Sequence, residues 1–535
     1  MKAKLAPLVV VGLVAMLCSW ATSGPRRVSE AIAQQSVNDD LQPALDAVNQ
    51  HFAARWKSED VSPTPRVDDL QILRRWMLAL MGTVPSLEEI RQFEADQQPQ
   101  RLERWLVKLL DDRRFANYFA ARLSRCFVGA DAGQFIVFRR DRFENWLSTQ
   151  IQNRTAYDEI VRTMLGSKGL WTGQPESNFI TAAFANDDLD ENKLAARTAR
   201  AFLGQSMECA QCHDHFFAEW KQGQFAGLAA HFGQTEVKLG VTDNPKLEFK
   251  VQDRKTLEDK VVAPAVPFHP EWLPANGAPR EQLGHWMTHS ENRRFERAIA
   301  NRVWGLMFGK PFIAPVDDMP NPPKESQRDV LDILGADFRS HHCDLRRLIQ
   351  VVALSQPFLA ASQSDAEDPS IVERQADEWA VFPLTRLRPE QIIGAMLQSG
   401  HVQTIDQNSH LFVRFIRFTK EKDFIEAYGD LGDQELVDRA GTISQALLRM
   451  NGEITRDAIK LDPLSVSSRI ANMCRADEDV IEVSFLACLT RRPTAEESEH
   501  FRALLADQTK NRDRGAKVED ILWSLVNSPE FSWNH

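Results

Sequence analysis

The sequence has no glycine-rich phosphate loop, no G-x-S-x-G nucleophile elbow and no H-E-x-x-H helix, so nucleotide-dependent and hydrolase chemistry lack their usual markers. Positive charge is in the minority: 64 Lys and Arg against 75 Asp and Glu give a net charge of −11 and a pI near 5.7. Binding nucleic acid needs a basic face that displaces counterions, and binding anionic lipid needs a polybasic patch, so neither is expected as a partner. Cysteine is scarce too, since seven in 535 residues do not make a disulfide scaffold. There are no homopolymer tracts, and the composition is that of a globular protein, 43% apolar and 26% charged.

What is present points to several packed cores. The length predicts roughly two to four domains, and thirteen Trp with thirty Phe supply large apolar side chains to fill them. Near the N-terminus, Lys2 and Lys4 precede an apolar run, Leu5 to Ala21, broken by Pro7, Gly12 and Ser19. The small-x-small sites Ser19-Trp20-Ala21 and Ala31-Ile32-Ala33 follow, so residues 1–33 are expected to be an export signal or, if uncleaved, an N-terminal anchor. Any membrane association is expected only through that segment, and the bulk of the chain is expected in the periplasm or at the cell surface. Cys18 belongs to this segment and matches a lipoprotein site poorly.

Residues 34–65 are polar, carry a helix-like patch, contain Pro63 and Pro65, and are expected to be a partly ordered linker. A helical region is expected over 66–235. Leu73, Trp76, Met77 and Leu80 recur at helical spacing and stop at Gly82, and Ser86 with Glu89 forms a capping box. "TAYDEIVRTML" stops at Gly166, while Asp187, Asp188, Asp190 and Glu191 suit the N-terminus of "KLAARTARAFLG" better than a calcium loop, whose spacing they lack. Residues 236–285 alternate in the manner of strands and are rich in proline, which marks a small β segment at a junction. From 286 to 535 helices return: "RPEQIIGAMLQSG" opens on Pro and closes on Gly400, and Thr494 with Glu497 forms another capping box. The expected fold class is therefore mainly α, a multi-helical two-domain protein.

The chemistry concentrates in "MECAQCHDHFF", residues 207–217. Cys209, Cys212 and His213 form C-x-x-C-H, which composition alone would produce roughly 0.002 times in such a chain. At i, i+3 and i+4 on a helical turn, two thiols reach the vinyl groups of one porphyrin edge while the imidazole reaches the iron. Covalent haem c is thus the expected cofactor, with electron transfer or an oxidoreductase reaction as the function and a redox protein as a possible partner.

Candidates for the second iron ligand are Met207, His231, His285, Met287, His289 and Met319; Met207 is too near the attachment site to cross to the other haem face, and "GHWMTHS" puts Met287 and His289 first. Each has a plain alternative, Met287 in the core and the histidines at the surface. Phe216, Phe217, Trp220, Phe225 and Phe232 suit the wall of a haem pocket or the core of a helical hairpin equally. The alternative cofactor is Zn, held by Cys209 and Cys212 with His213 or His215 and a distant His231 or His285. A disulfide or a pair of free thiols is the third option, and the disulfide leaves His213 without a role. Elsewhere, Asp317 and Asp318 are expected to cap or to pair with Arg302 rather than to act as an acid/base couple, and His341-His342-Cys343 to connect two helices.

Several stretches resemble a known family. "LRRWMLALMGTVPSLEEI", "RTAYDEIVRTMLG" and "TARAFLGQSMECAQCHDHFFAEWKQGQFAGLAAHFG" are similar to the exported planctomycete cytochrome-like domain of PSCyt type. "NRRFERAIANRVWGLMFGKPFIAPVDDMPNPP", "RLRPEQIIGAML", "QALLRMNG", "LTRRPTAEE" and "LWSLVNSPEFSWNH" are similar to its C-terminal companion of PSD type. The resemblance implies an exported, mostly helical protein with a c-type haem signature and no established reaction. Two places depart from the family pattern: Phe216 stands where a Pro is usual, and "RFANYFAARLSRCF" is divergent.

Overall fold

Helical periodicity dominates the backbone that the chain adopts. A computed structural model describes residues 37–130, 138–185, 188–214, 219–252, 257–406, 411–429, 432, 436–437, 441–452, 455–456, 465–506 and 513–535. The signal segment expected over 1–33 lies outside these residues, as do Asp187, His215, Phe216 and Phe217. Among the described residues the protein is mainly α, and its sheets are all two-stranded.

The first helix, α1 (Val37–Ser58), occupies most of the segment expected to be a partly ordered linker. Its apolar positions Val48, Phe52 and Trp56 share one face and are buried. Phe52 stacks on Trp304 with ring centroids 5.8 Å apart and meets Phe312 edge-on at 6.4 Å.

Next come α2 (Asp69–Met81), α3 (Leu87–Ala95), α4 (Arg101–Asp111), α5 (Arg113–Val128), α6 (Arg140–Gln152) and α7 (Tyr157–Gly166). Asp68 caps α2 by accepting the N–H groups of Leu70 and Gln71, and the helix ends at Gly82, whose φ of 64° is left-handed. The Ser86–Glu89 capping box forms as expected. Gly166 is the last residue of α7 and Ser167 its cap, so this glycine sits one position inside the stop expected of it.

Helix α8 (Glu191–Leu203) starts at Asp190, whose carboxylate accepts the Lys193 N–H at 2.9 Å. The motif segment leads from α8 to α9 (Gln222–Ala230). The expected β segment is made of three-residue strands in two antiparallel hairpins: β3 (Thr235–Val237) with β4 (Val241–Asp243), and β5 (Lys250–Gln252) with β6 (Asp259–Val261). An earlier hairpin, β1 (Phe184–Ala185) with β2 (Asp188–Leu189), precedes α8.

Helices α10 (Pro279–Met287), α11 (Arg293–Phe308), α12 (Val330–Ser340) and α13 (Leu345–Leu354) open the C-terminal region, followed by α14 (Pro389–Ser399). His341, His342 and Cys343 form the turn between α12 and α13, with His342 and Cys343 at φ 56° and 53°. Further on, the capping boxes at Thr442 and Thr494 form, and a last helix spans Arg514–Asn527. β7 (Thr385–Arg386) pairs with β8 (Trp533–Asn534).

The N- and C-terminal helical regions share one core. Trp76 on α2 donates its indole N–H to the Ala353 carbonyl of α13 at 3.3 Å. Its buried neighbours Arg74 and Arg75 donate to Cys488 O (3.1 Å), Phe358 O (2.6 Å) and Ala360 O (2.8 Å). Burial lowers both guanidinium pKa values, Arg74 to about 10 and Arg75 to about 9. Thr83 adds a bond to Gly394 O at 2.9 Å. Among the described residues no helix is long and apolar enough to cross a membrane.

Candidate functional site

The motif hangs between two rooted helices. Helix α8 ends at Gly204, which has φ 61° and whose carbonyl accepts the Met319 N–H at 2.8 Å. The left-handed conformation calls for glycine, and a Cβ here would also displace the Met319 Cε methyl, 2.5 Å away. Gln205 follows, buried. Its amide donates to Met319 O at 2.6 Å, and its Oε1 accepts the Trp220 indole N–H at 3.2 Å. These contacts close the neck of the segment 206–219.

Within that segment Met207 is buried and Glu208–Gln211 forms a single 3₁₀ turn, held by Ala210 N–H to Met207 O at 2.9 Å. Glu208 Oε1 lies 2.8 Å from Arg200 Nε, which ties the turn to α8. An α-helical turn was the expectation; the turn is the tighter 3₁₀ form, with Cys209 inside it and Cys212 as its C-cap, whose N–H donates to Cys209 O at 3.4 Å. Both are free, exposed thiols. The disulfide option is not realised.

His213 is exposed, and its Nδ1 lies 2.8 Å from the Asp214 carbonyl oxygen. A carbonyl only accepts, so Nδ1 carries the hydrogen of this contact. The Asp214 carboxylate accepts the Gln222 N–H at 3.0 Å and lies 3.3 Å from Lys221 Nζ; these two partners, in that order, hold its carboxyl below the usual range.

The other candidates stand apart. His231 closes α9 and is buried, its Nδ1–H donated to Gly227 O at 3.1 Å; burial lowers its pKa to about 4 and keeps it neutral. Met287 is fully buried at the end of α10, whereas His285 on the same helix is exposed. His289 stacks on Trp272 at 4.7 Å, and His269 covers the opposite face of that indole at 4.1 Å. Met319 is packed behind Gly204, with its Sδ 3.2 Å from Asn301 Nδ2. Phe225 and Phe232 belong to the core, where the aromatic spacing allowed either a haem wall or a hairpin interior. Among the described residues no three His, Cys, Asp or Glu side chains converge as a metal-ion cluster. The zinc set of Cys209 and Cys212 with His213, His231 or His285 is therefore not brought together, and His215 lies outside the described residues.

Next to the motif is a cleft of about 740 Å³, lined in part by Trp220, Phe268, Trp272 and Arg294. The Arg294 guanidinium sits between the Trp220 and Phe268 rings, 5.2 and 5.6 Å from their centroids, and burial lowers its pKa to about 10. Farther away, Arg302 pairs with Asp317 as expected, and Asp318 takes no part in that pair. Sequence reading did not single out Gln205, Asp214 or Arg294. Gln205 and Asp214 act through partners 15 and 8 residues on, a spacing no local pattern encodes.

The architecture and the turn define a mainly α protein that presents two thiols and an imidazole on one exposed loop. Residues 47–237 match the PSCyt2 family model, described as a protein of unknown function (DUF1549), and residues 279–414 match the PSD1 model, described as a protein of unknown function (DUF1553). The chain thus belongs to the two-domain family that its motifs resemble, with the PSCyt2 and PSD1 regions in tandem. No curated protein and no solved structure matches it.

Proposed function

We propose that this protein is exported and carries a covalently attached haem on the Cys209–His213 turn, serving in electron transfer or an oxidoreductase reaction with a redox partner protein. The supporting observation is the turn itself. Two free, exposed thiols stand in and at the C-cap of one 3₁₀ turn, followed by a histidine whose Nδ1–H is given to a backbone carbonyl. A bond of that kind orients a metal-ligating imidazole and directs Nε2 outward as the donor.

In this reading Cys209 and Cys212 are the anchors and His213 the axial ligand, while Asp214 O fixes the imidazole. A bound haem would supply a one-electron couple. His231, Met287 and Met319 are committed to the core and His289 to its indole stack, so the reading assigns none of them as a second ligand. Thioether formation belongs outside the cytoplasm, and the basic-then-apolar segment Lys2–Ala21 supports export.

The test is expression in a host competent in cytochrome c maturation, followed by a reduced-minus-oxidised spectrum. An α band retained through acid–acetone extraction, and lost in the Cys209→Ala/Cys212→Ala variant, is expected. Stoichiometric zinc without such a band would overturn the haem reading in favour of a Cys/His metal site.

A further inference from the structure

We propose that Asp214 is a positioning residue for His213, acting from the N-terminus of α9. The argument starts with an unmet need of that helix. First-turn N–H groups require acceptors from outside the helix, and the residue before Gln222 is Lys221, whose side chain has no oxygen to offer. Asp214 meets part of that need from eight residues upstream. Its Oδ1 accepts the Gln222 N–H at 3.0 Å, and its Oδ2 lies 3.3 Å from Lys221 Nζ. Gln224 Oε1 accepts the Lys221 N–H at 2.8 Å, and Gln222 Nε2 reaches back to the Gln211 carbonyl at 3.4 Å. Two stitches therefore join the motif turn to the start of α9, one from Gln211 and one from Asp214.

The helix that receives them is well rooted, since Phe225, Leu228 and Ala229 are buried. Asp214 is tied to that helix by its carboxylate, and its carbonyl stands 2.8 Å from His213 Nδ1. The carboxylate therefore acts on the imidazole through its own backbone: it sets where the accepting carbonyl lies and so which ring nitrogen holds the proton. This proposal rests on the haem reading only in calling His213 an axial ligand; the control of the tautomer is a property of the chain without haem.

The experiment uses the full chain without haem, labelled with ¹⁵N-histidine, at a pH well above the ordinary imidazole pKa. Long-range ¹H–¹⁵N correlations distinguish the two neutral tautomers, and a His213→Gln variant identifies the signals. The wild type should show His213 with its proton on Nδ1. Asp214→Ala should shift it to the Nε2–H form that predominates in a free imidazole. Asp214→Asn keeps an oxygen for the Gln222 N–H and should retain the Nδ1–H form. Lys221→Met should retain it as well, because that ion pair is exposed and contributes little. Nε2–H predominance in the wild type, or an unmoved tautomer in Asp214→Ala, overturns the proposal. A missing haem band would sink the haem reading and leave this result standing, so the two failures are distinguishable.

Discussion

Gln205 Oε1 accepts the Trp220 indole N–H at 3.2 Å, and this bond closes the neck of the segment that carries Cys209, Cys212 and His213. The same amide group donates to Met319 O at 2.6 Å, so one buried side chain joins both ends of the segment to the proline-rich loop after α11. A buried acceptor stripped of its donor costs more than the bond contributed. Trp220→Phe should therefore destabilise the fold by about 1–2 kcal/mol in urea titrations. Limited proteolysis within 206–219 should speed up as well. Unchanged stability together with unchanged cleavage would show that the neck is held elsewhere.

Gly204 should resist replacement. Its φ of 61° is left-handed, and a Cβ there would push aside the Met319 Cε methyl, 2.5 Å away. Gly204→Ala is expected to cost about 1–3 kcal/mol through strain and overpacking. The melting temperature of the variant checks this, and one within a degree of the wild type would refute it.

His231 should shape the acid limb of stability. Its folded pKa is lowered to about 4 by burial, below the ordinary value near 6.5, so the unfolded chain binds the extra proton between these limits. Stability should then be retained above about pH 6.5 and fall as the pH drops toward 4, by at most about 3 kcal/mol from this group. Urea midpoints measured from pH 4.5 to 7.5 should show that slope, and His231→Gln should flatten it. Parallel curves for the two proteins would contradict the assignment.

Thiol reactivity should divide by burial. Burial raises the Cys343 and Cys488 pKa values to about 12, whereas Cys209 and Cys212 are exposed. In the reduced protein without haem, a maleimide should label Cys209 and Cys212 first and spare Cys343 and Cys488 until unfolding. Peptide mapping by mass spectrometry reads the order directly, and early labelling of Cys343 or Cys488 would contradict the structure.

Local signals carried much of the fold. The spacing of Leu73, Trp76, Met77 and Leu80 gives α2, and Gly82 ends it where a left-handed residue was needed. The Ser86 and Thr494 boxes were likewise readable, because each depends on chemistry close in the chain. α1 was harder to read. Its polar composition, with Pro63 and Pro65 beyond it, suggested partial order, and its buried face meets Trp304 and Phe312, far along the sequence. At the motif, spacing identified the thiols and His213 but not the 3₁₀ form of their turn. Gln205 and Asp214 stayed hidden because their partners are set by the path of the chain between α8 and α9.

The bonds from α2 to the distant half of the chain bear on how the protein is made. Arg74, Arg75 and Trp76 take carbonyl partners from Cys488, Phe358 and Ala353. During synthesis those carbonyls appear hundreds of residues after the side chains that need them, and loop closure over such spans is slow. The N-terminal region cannot complete its interior alone. Its guanidinium groups must stay hydrated, and its apolar faces uncovered, until the C-terminal helices arrive. A fragment cut between the two family regions would be left in that unfinished state, exposed to proteases and to self-association.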